Sequence, residues 1–219
     1  VDPETGQYGS GSQCSNALPL FLGMARGDDG NRESETGVPS RMRVLGHLLE
    51  DIAAHGNRLT TGDVGNRYLI QALARSGRDE VVYRMFNHEE APGYGFQLKF
   101  GATTLTEQWD PRQGSSWNHF MMGQIDEWFF NSLAGIQHNE KEKGYQHLII
   151  RPQAVGDLKS VNASYETLYG KVSVKWTHEN GKFTLNVTVP TNCTASVYLP
   201  DDEKPQSIKS GTYNFTKNF

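Results

Sequence analysis

Apolar residues in the first two thirds of the chain recur at the spacing of amphipathic helices. The clearest helix carries its apolar stripe over residues 44–52. Ser40, just before this stripe, is a suitable N-cap, and Gly56 after it is a stop signal. The same spacing predicts further helices over residues 16–24, 63–76 and 79–86.

One more helix is expected near the end of this region. Ser115 or Ser116 can cap its start, and Gly135 can close it. Its apolar stripe repeats every four residues and consists of Trp117, Met121, Ile125, Phe129 and Leu133. Because Trp117 lies on this stripe, we predict that it belongs to the core.

The last third of the chain changes to the alternation that is typical of half-buried strands. Apolar and polar residues alternate over residues 171–176 and 183–189. Between these runs, Asn180 and Gly181 form the strongest short signal for a β-hairpin. We therefore predict an antiparallel β-sandwich over about residues 145–219, and an α+β chain with two domains, residues 1–140 and 141–219.

The segment over residues 89–115 has neither helical nor strand periodicity. It is rich in glycine, proline and threonine. Loops longer than about 12–15 residues are uncommon in compact domains and are often functional. This one also contains Tyr94, Phe96 and Trp109, which makes it too apolar for a solvated linker. We therefore expect a functional loop.

Composition excludes several classes of protein. The 219 residues carry a net charge of −4, with no basic cluster that would suggest nucleic acid and no apolar run long enough to span a membrane. The two cysteines, Cys14 and Cys193, are predicted to be free thiols rather than a disulfide. No metal or cofactor is expected, because no cysteine and histidine residues have zinc spacing and residues 26–31 resemble only a fragment of a calcium loop.

Glu107, Trp109 and His119 lie close together in sequence around the long loop. A carboxylate can activate water, a flat aromatic face can cover a sugar ring, and a neutral imidazole can bind hydroxyl groups. The three residues therefore indicate a sugar-cleaving site. Each also has a structural interpretation: Glu107 as an ion-pair partner, Trp109 as a core residue, and His119 as a satisfied histidine at a helix end.

The stretch over residues 101–107 (Gly-Ala-Thr-Thr-Leu-Thr-Glu) resembles one family closely. Together with Asn118-His119, Glu127-Trp128 and residues 60–65, it is similar to the bacterial α-L-rhamnosidases of glycoside hydrolase family 78. The resemblance covers nearly the whole chain. It implies the end of an (α/α)6 toroid followed by a C-terminal β-sandwich, so that the chain corresponds to a C-terminal part of such an enzyme.

The resemblance also implies roles for individual residues. Glu107 matches the general base of an inverting hydrolysis, and His119 matches a histidine that binds rhamnose, with Trp109 nearby in the substrate site. The positive end of a helix would keep His119 neutral. Thr106 departs from the aromatic residue that many relatives have before the glutamate, which affects the wall of the sugar pocket. The general acid is expected upstream of these residues.

The resemblance predicts hydrolysis of terminal α-L-rhamnose from a rhamnose-containing glycoside or polysaccharide by the full-length protein. A periplasmic or extracellular location is expected rather than a cytoplasmic one, and the incomplete toroid would expose an apolar flank that favours self-association. Two alternatives are a non-catalytic carbohydrate-binding module and another toroidal enzyme, such as an α-L-fucosidase or a disaccharide phosphorylase. Glycosylation sequons at Asn162, Asn186, Asn192 and Asn214 fit a secreted eukaryotic protein, but the bacterial motif favours chance.

Overall fold

The computed structural model describes residues 1–2, 4–25, 40–113, 116–139, 142 and 144–219. These residues divide into two compact units, Val1–Ile125 and Asp126–Phe219. Residues 26–31, which resemble a fragment of a calcium loop, and the alternative cap Ser115 lie outside the described residues. The division at residue 125 precedes the domain boundary predicted at residue 140, which itself lies outside them.

The first unit is helical. Ser40 caps the second helix as predicted, because its hydroxyl accepts the Arg43 backbone N–H at 3.2 Å. Gly65 allows the first and third helices to approach, since a Cβ atom there would lie 2.9 Å from Sγ of Cys14. The helices are α1 (Gln13–Phe21), α2 (Arg41–Ala54), α3 (Asp63–Ala74), α4 (Asp79–Phe86) and α5 (Tyr94–Lys99).

Two predictions about the loop region are wrong. The segment expected to lack structure contains α5, and the helix expected from residue 116 begins only at Phe120, as a 3-10 helix over Phe120–Gln124. The backbone N–H of His119 donates to the Leu105 carbonyl at 2.9 Å, which holds the preceding residues against the loop instead of in a helical turn. Trp117 is therefore 49% exposed and does not belong to the core.

The second unit begins with two short helical segments and continues as a β-sandwich. The segments are α6 (Ile125–Trp128), whose first residue is the last of the first unit, and a π-helix over Phe129–Leu133. One four-stranded sheet has the order β1-β2-β6-β7, and the other has the order β3-β4-β5-β8. The strands are β1 (Ile136–His138), β2 (His147–Ile150), β3 (Ser160–Thr167), β4 (Gly170–Glu179), β5 (Lys182–Val189), β6 (Thr194–Val197), β7 (Gln206–Ile208) and β8 (Gly211–Asn218).

The predicted hairpin is confirmed, but the sandwich is not wholly antiparallel. Asn180 and Gly181 join β4 to β5 with φ angles of 51° and 70°, the positive values that a tight hairpin turn requires. In the other sheet, β2 and β6 pair in parallel. Between β2 and β6 the chain forms β3, β4 and β5 of the other sheet, and this long crossover is the kind of connection that a parallel pair requires.

The core of the sandwich is built from the residues that alternation predicted to be buried. Trp176 of β4 and Phe183 of β5 are fully buried, and the indole N–H of Trp176 donates to the Leu133 carbonyl at 2.7 Å. Cys193 is buried in the same core, and burial raises the pKa of its thiol. Both cysteines are free, as predicted. Among the helices of the described residues, none has the length and apolarity needed to cross a membrane.

Candidate active site

The loop that carries Glu107 folds back on the segment that carries His119. The Glu107 backbone N–H donates to the Ser116 carbonyl at 3.0 Å, and the His119 backbone N–H donates to the Leu105 carbonyl at 2.9 Å. The Thr104 hydroxyl group adds a hydrogen bond to the Trp117 carbonyl. This irregular two-stranded ribbon, residues 104–107 against 116–119, places the loop that carries Glu107 alongside the segment that carries His119.

The backbone on both sides of Glu107 is held by side chains. The Thr106 hydroxyl donates to the Gln108 carbonyl at 2.7 Å, and the Gln97 amide donates to the same carbonyl at 3.2 Å. Thr106 is fully buried, so its side chain supports the loop from within. Glu107 itself is half-buried. Its neighbours therefore fix its position in the loop.

His119 contacts an acidic residue that is distant in sequence. Its Nε2 atom lies 3.1 Å from Oδ2 of Asp63, the first residue of α3. The hydrogen bond from His119 lowers the pKa of the Asp63 carboxyl below its ordinary value, and a second one from the Val64 backbone N–H adds to this effect. Because an ionised carboxylate only accepts hydrogen bonds, Nε2 of His119 carries the hydrogen. The neutral state predicted for this ring stays a prediction.

Trp109 is anchored just before the start of α3. Its indole N–H donates to the Thr61 carbonyl at 3.2 Å, and its ring lies edge-on to Tyr94 with centroids 5.2 Å apart. The Tyr94 hydroxyl in turn donates to the Met122 carbonyl. Trp109 is half-buried, so part of the side chain holds the loop and part is exposed.

The segment from Thr61 to Asp63 thus binds both Trp109 and His119. Gln124 strengthens this junction, because its amide donates to the Asp63 carbonyl at 3.2 Å. Around it, the buried oxygens Thr61 Oγ1, Asn66 Oδ1 and Gln124 Oε1 have no hydrogen-bond partner among the described residues. Such oxygens are suited to an ordered water or a polar ligand. The described residues contain no group of three or more acidic, histidine or cysteine side chains that could hold a metal.

Asp110, next to Trp109, has a structural role. Its carboxylate accepts two hydrogen bonds from the Arg112 guanidinium, each at 2.8 Å, and these lower the pKa of Asp110. It also accepts the Arg112 backbone N–H at 3.0 Å, which closes a local turn around Pro111. The Arg112 side chain lies over the Phe100 ring at 4.2 Å. Asp110 is therefore committed to the local turn.

Sequence reasoning did not assign a role to Asp63. The residue lies within residues 60–65, which contribute to the family resemblance, but its partner His119 is 56 positions away. The available signal was indirect: an aspartate in the first turn of a helix, and a histidine proposed for a site that would need an orienting partner. Only the packing of the loop onto α3 joins the two.

Two family models, one following the other, match nearly the whole chain. Residues 1–133 match the bacterial α-L-rhamnosidase six-hairpin glycosidase domain, and residues 135–214 match the bacterial α-L-rhamnosidase C-terminal domain. The loop site thus lies within the part of the chain that matches the six-hairpin glycosidase domain, and the β-sandwich lies within the part that matches the C-terminal domain. The chain belongs to the bacterial α-L-rhamnosidase family, as its sequence motifs indicated.

Curated relatives support this membership over most of the chain. The chain is 33% identical over 176 residues to an α-L-rhamnosidase of Streptomyces avermitilis, which covers 75% of the chain and 17% of that protein. It is 33% identical over 178 residues to an α-L-rhamnosidase of Formosa agariphila, covering 77% and 19% of the two proteins. The chain therefore spans less than a fifth of the length of these relatives.

Solved structures agree with the fold. An α-L-rhamnosidase from Dictyoglumus thermophilum superposes with a TM-score of 0.83 at 31% identity, over 95% of this chain and 25% of that one. The Streptomyces avermitilis α-L-rhamnosidase complexed with L-rhamnose superposes with a TM-score of 0.82 at 26% identity, over 98% of this chain and 23% of that one. The native α-L-rhamnosidase from Aspergillus terreus superposes with a TM-score of 0.83 at 26% identity, over 97% of this chain and 25% of that one. The predicted fold class, part of a toroid followed by a sandwich, is confirmed.

Proposed function

We propose that this chain carries the general-base side of an inverting α-L-rhamnosidase active site. The reaction is removal of terminal, non-reducing α-L-rhamnose from a rhamnoside, carried out by the longer protein to which the residues belong. The observation that carries the proposal is the ribbon that joins the Glu107 loop to the His119 segment, inside the region that matches the glycosidase domain.

Glu107 is the proposed base. An inverting glycosidase needs one carboxylate that takes a proton from water and one carboxylic acid that protonates the leaving oxygen. A base must be held in place by its surroundings, and the backbone around Glu107 is fixed by Ser116, Thr106 and Gln97. Glu107 is also partly accessible, as a residue that activates water must be.

His119 and Trp109 are proposed to bind the sugar. With Nε2 of His119 directed at Asp63, Nδ1 of the neutral ring is the atom that can accept a hydrogen bond from a sugar hydroxyl. Trp109 offers the part of its ring that is not packed on Tyr94. The relative from Streptomyces avermitilis was solved with L-rhamnose, which supports this class of ligand.

The general acid is proposed to lie in another part of the longer protein. The two candidate acids close to the site are already engaged: Asp63 binds His119, and Asp110 binds Arg112. Both carboxyls have a lowered pKa, which is the opposite of what a proton donor needs near neutral pH. Acid and base in such enzymes stand about 6.5–9.5 Å apart, across the bond that is cleaved.

The domain boundary and the association of the chain are also proposals. We place the toroid part in residues 1–140 and the sandwich domain in residues 141–219, so that β1 (Ile136–His138) joins its sheet from just before this boundary. Self-association is expected from large apolar side chains of the first unit that are more than half exposed. These include Leu22, Met24, Met42, Val64, Leu98 and Phe120. Sedimentation velocity of the 219-residue chain over a range of concentrations measures this association.

The test of the proposed function is hydrolysis of nitrophenyl α-L-rhamnoside by the complete gene product. Glu107→Gln keeps the shape of the side chain and removes the base, so we expect turnover to fall about 10²- to 10⁴-fold. Glu90→Gln is the control, because Glu90 is another loop glutamate of the same unit and pairs with Arg58 at the surface. The first product should be the inverted anomer, seen by proton NMR. Full activity of Glu107→Gln would disprove the assignment.

A further inference from the structure

Within the described part of the chain, Asp63 is the side chain that forms a hydrogen bond with the ring of His119. The His119 backbone is fixed separately, through its N–H bond to the Leu105 carbonyl. Its ring can still rotate about two side-chain bonds, and among the described residues Asp63 makes the one hydrogen bond to it. The orientation of the imidazole therefore depends on whether Asp63 itself is held in place.

Asp63 is held by bonds that differ for each of its oxygens. Oδ1 accepts the Val64 backbone N–H at 2.8 Å, while Oδ2 lies 3.1 Å from Nε2 of His119. Rotation of the carboxylate would break one bond in order to keep the other. The backbone carbonyl of Asp63 is tied to the Gln124 amide at 3.2 Å. The carboxylate is thus a fixed acceptor, placed by the start of α3.

We propose that Asp63 is a positioning residue for sugar binding. It fixes His119 with the hydrogen on Nε2 and presents Nδ1 as an acceptor to a hydroxyl group of the sugar. This inference rests on the proposed function, because it assumes that His119 contacts the sugar. A ring that was free to exchange its two nitrogens would lose the preference for a donating hydroxyl.

The low pKa of Asp63 is consistent with this role. The carboxyl is held ionised by the hydrogen bond from His119, so at neutral pH it accepts and does not donate. The two side chains are partly shielded, with 22% of His119 and 34% of Asp63 exposed. This shielding limits competition from water while it leaves part of the His119 side chain accessible.

A purely structural role for Asp63 makes a different prediction. An aspartate in the first turn of a helix stabilises that helix through its charge, whatever lies beside it. If this were its whole role, removal of the carboxylate would lower the stability of α3 and leave the His119 ring unchanged. The state of the ring therefore separates the two roles.

The first experiment reads the ring directly, in the 219-residue chain labelled with 15N-histidine. Near neutral pH, we expect a slowly exchanging Hε2 proton on His119, with 15N shifts that show hydrogen on Nε2 and none on Nδ1. The signal is assigned by its loss in His119→Gln. Asp63→Ala should abolish the slow exchange. Asp63→Asn, which keeps an acceptor for the Val64 N–H, should weaken it. Asp126→Asn, an exposed first-turn aspartate, should leave it unchanged.

The second experiment measures coupling in the complete gene product. Asp63→Ala should lower kcat/KM for nitrophenyl α-L-rhamnoside about tenfold, the effect of one lost hydrogen bond. In a His119→Ala background, the same change should cost nothing more, because Asp63 acts through His119. A structural role would give equal losses in both backgrounds.

The outcomes separate this inference from the proposed function. If the slow Hε2 signal is absent, or survives Asp63→Ala, the positioning role is wrong whatever the enzyme does. Equal losses of kcat/KM in the two backgrounds overturn it as well. If the ring signal behaves as expected but His119→Ala hydrolyses the substrate normally, the sugar contact of His119 fails, and the positioning role in catalysis fails with it.

Discussion

Replacing Trp109 with phenylalanine tests whether this tryptophan anchors the catalytic loop. The substitution keeps an aromatic ring against Tyr94 but removes the N–H that the Thr61 carbonyl accepts at 3.2 Å. Thr61 is 5% exposed, so water has little access to replace the lost donor. A buried polar group left without its partner costs about 1–3 kcal/mol. We expect the free energy of unfolding of the first unit to fall by that amount.

The same loop supplies a matched control. Trp117 is 49% exposed, and its indole makes no hydrogen bond within the described part of the chain. Surface substitutions of this kind usually change stability by less than about 0.5 kcal/mol, so Trp117→Phe should be close to neutral. The pair therefore compares the same chemical change at an anchored and at an exposed position.

The assay is equilibrium unfolding in guanidinium chloride, followed by circular dichroism at wavelengths where helix dominates. Helices α1–α5 lie in the first unit, so this signal reports mainly on that unit. The slopes of the transitions should agree between variants, so that the midpoints can be compared as stabilities. Equal losses for the two substitutions, or a neutral Trp109→Phe, would show that the Thr61 contact does not anchor the loop.

Two further predictions follow from the charges of the site. The 219-residue chain alone should not hydrolyse nitrophenyl α-L-rhamnoside at a useful rate compared with the complete gene product. The reason is that the chain holds the proposed base but no acid that a motif supports. Turnover comparable to that of the complete gene product, if Glu107→Gln abolished it, would place the acid within these residues. Asp63 has a lowered pKa in the folded chain, so its contribution to stability is present above about pH 4 and is lost as the pH falls through its folded pKa. On acidification, the Asp63→Asn variant should therefore lose less stability than the parent chain, as measured by urea midpoints between neutral and acid pH. If the midpoints of the two proteins fell in parallel as the pH was lowered, the Asp63–His119 pair would be contradicted.

Local signals in the sequence determined the elements whose causes are themselves local. Ser40 caps α2 because its hydroxyl reaches a backbone N–H three residues ahead. Asn180 and Gly181 make the β4–β5 turn because both tolerate positive φ. The alternation over residues 183–189 places Phe183 and its companions in the core, because successive side chains of a strand point to opposite faces. The motif over residues 101–107 likewise identified the family without any tertiary information.

Contacts between residues distant in sequence decided the features that local sequence patterns could not predict. The four-residue spacing from Trp117 to Leu133 predicted one helix, yet the bond from the His119 N–H to Leu105 holds residues 116–119 out of it. Outside the helix, Trp117 is 49% exposed, whereas Trp109 is anchored by its hydrogen bond to the Thr61 carbonyl. The parallel pairing of β2 and β6 depends on the route of the chain through the second sheet.

The same distinction applies to the site. Glu107 and His119 were found because the family motif marks them in sequence. Asp63 was not, because its partner is 56 residues away and neither residue shows that spacing locally. Hydrogen bonds between distant residues form only when packing has brought the backbones together, here the loop ribbon against the start of α3. The sequence thus determined which side chains were available for the chemistry, and the tertiary structure decided which of them touch.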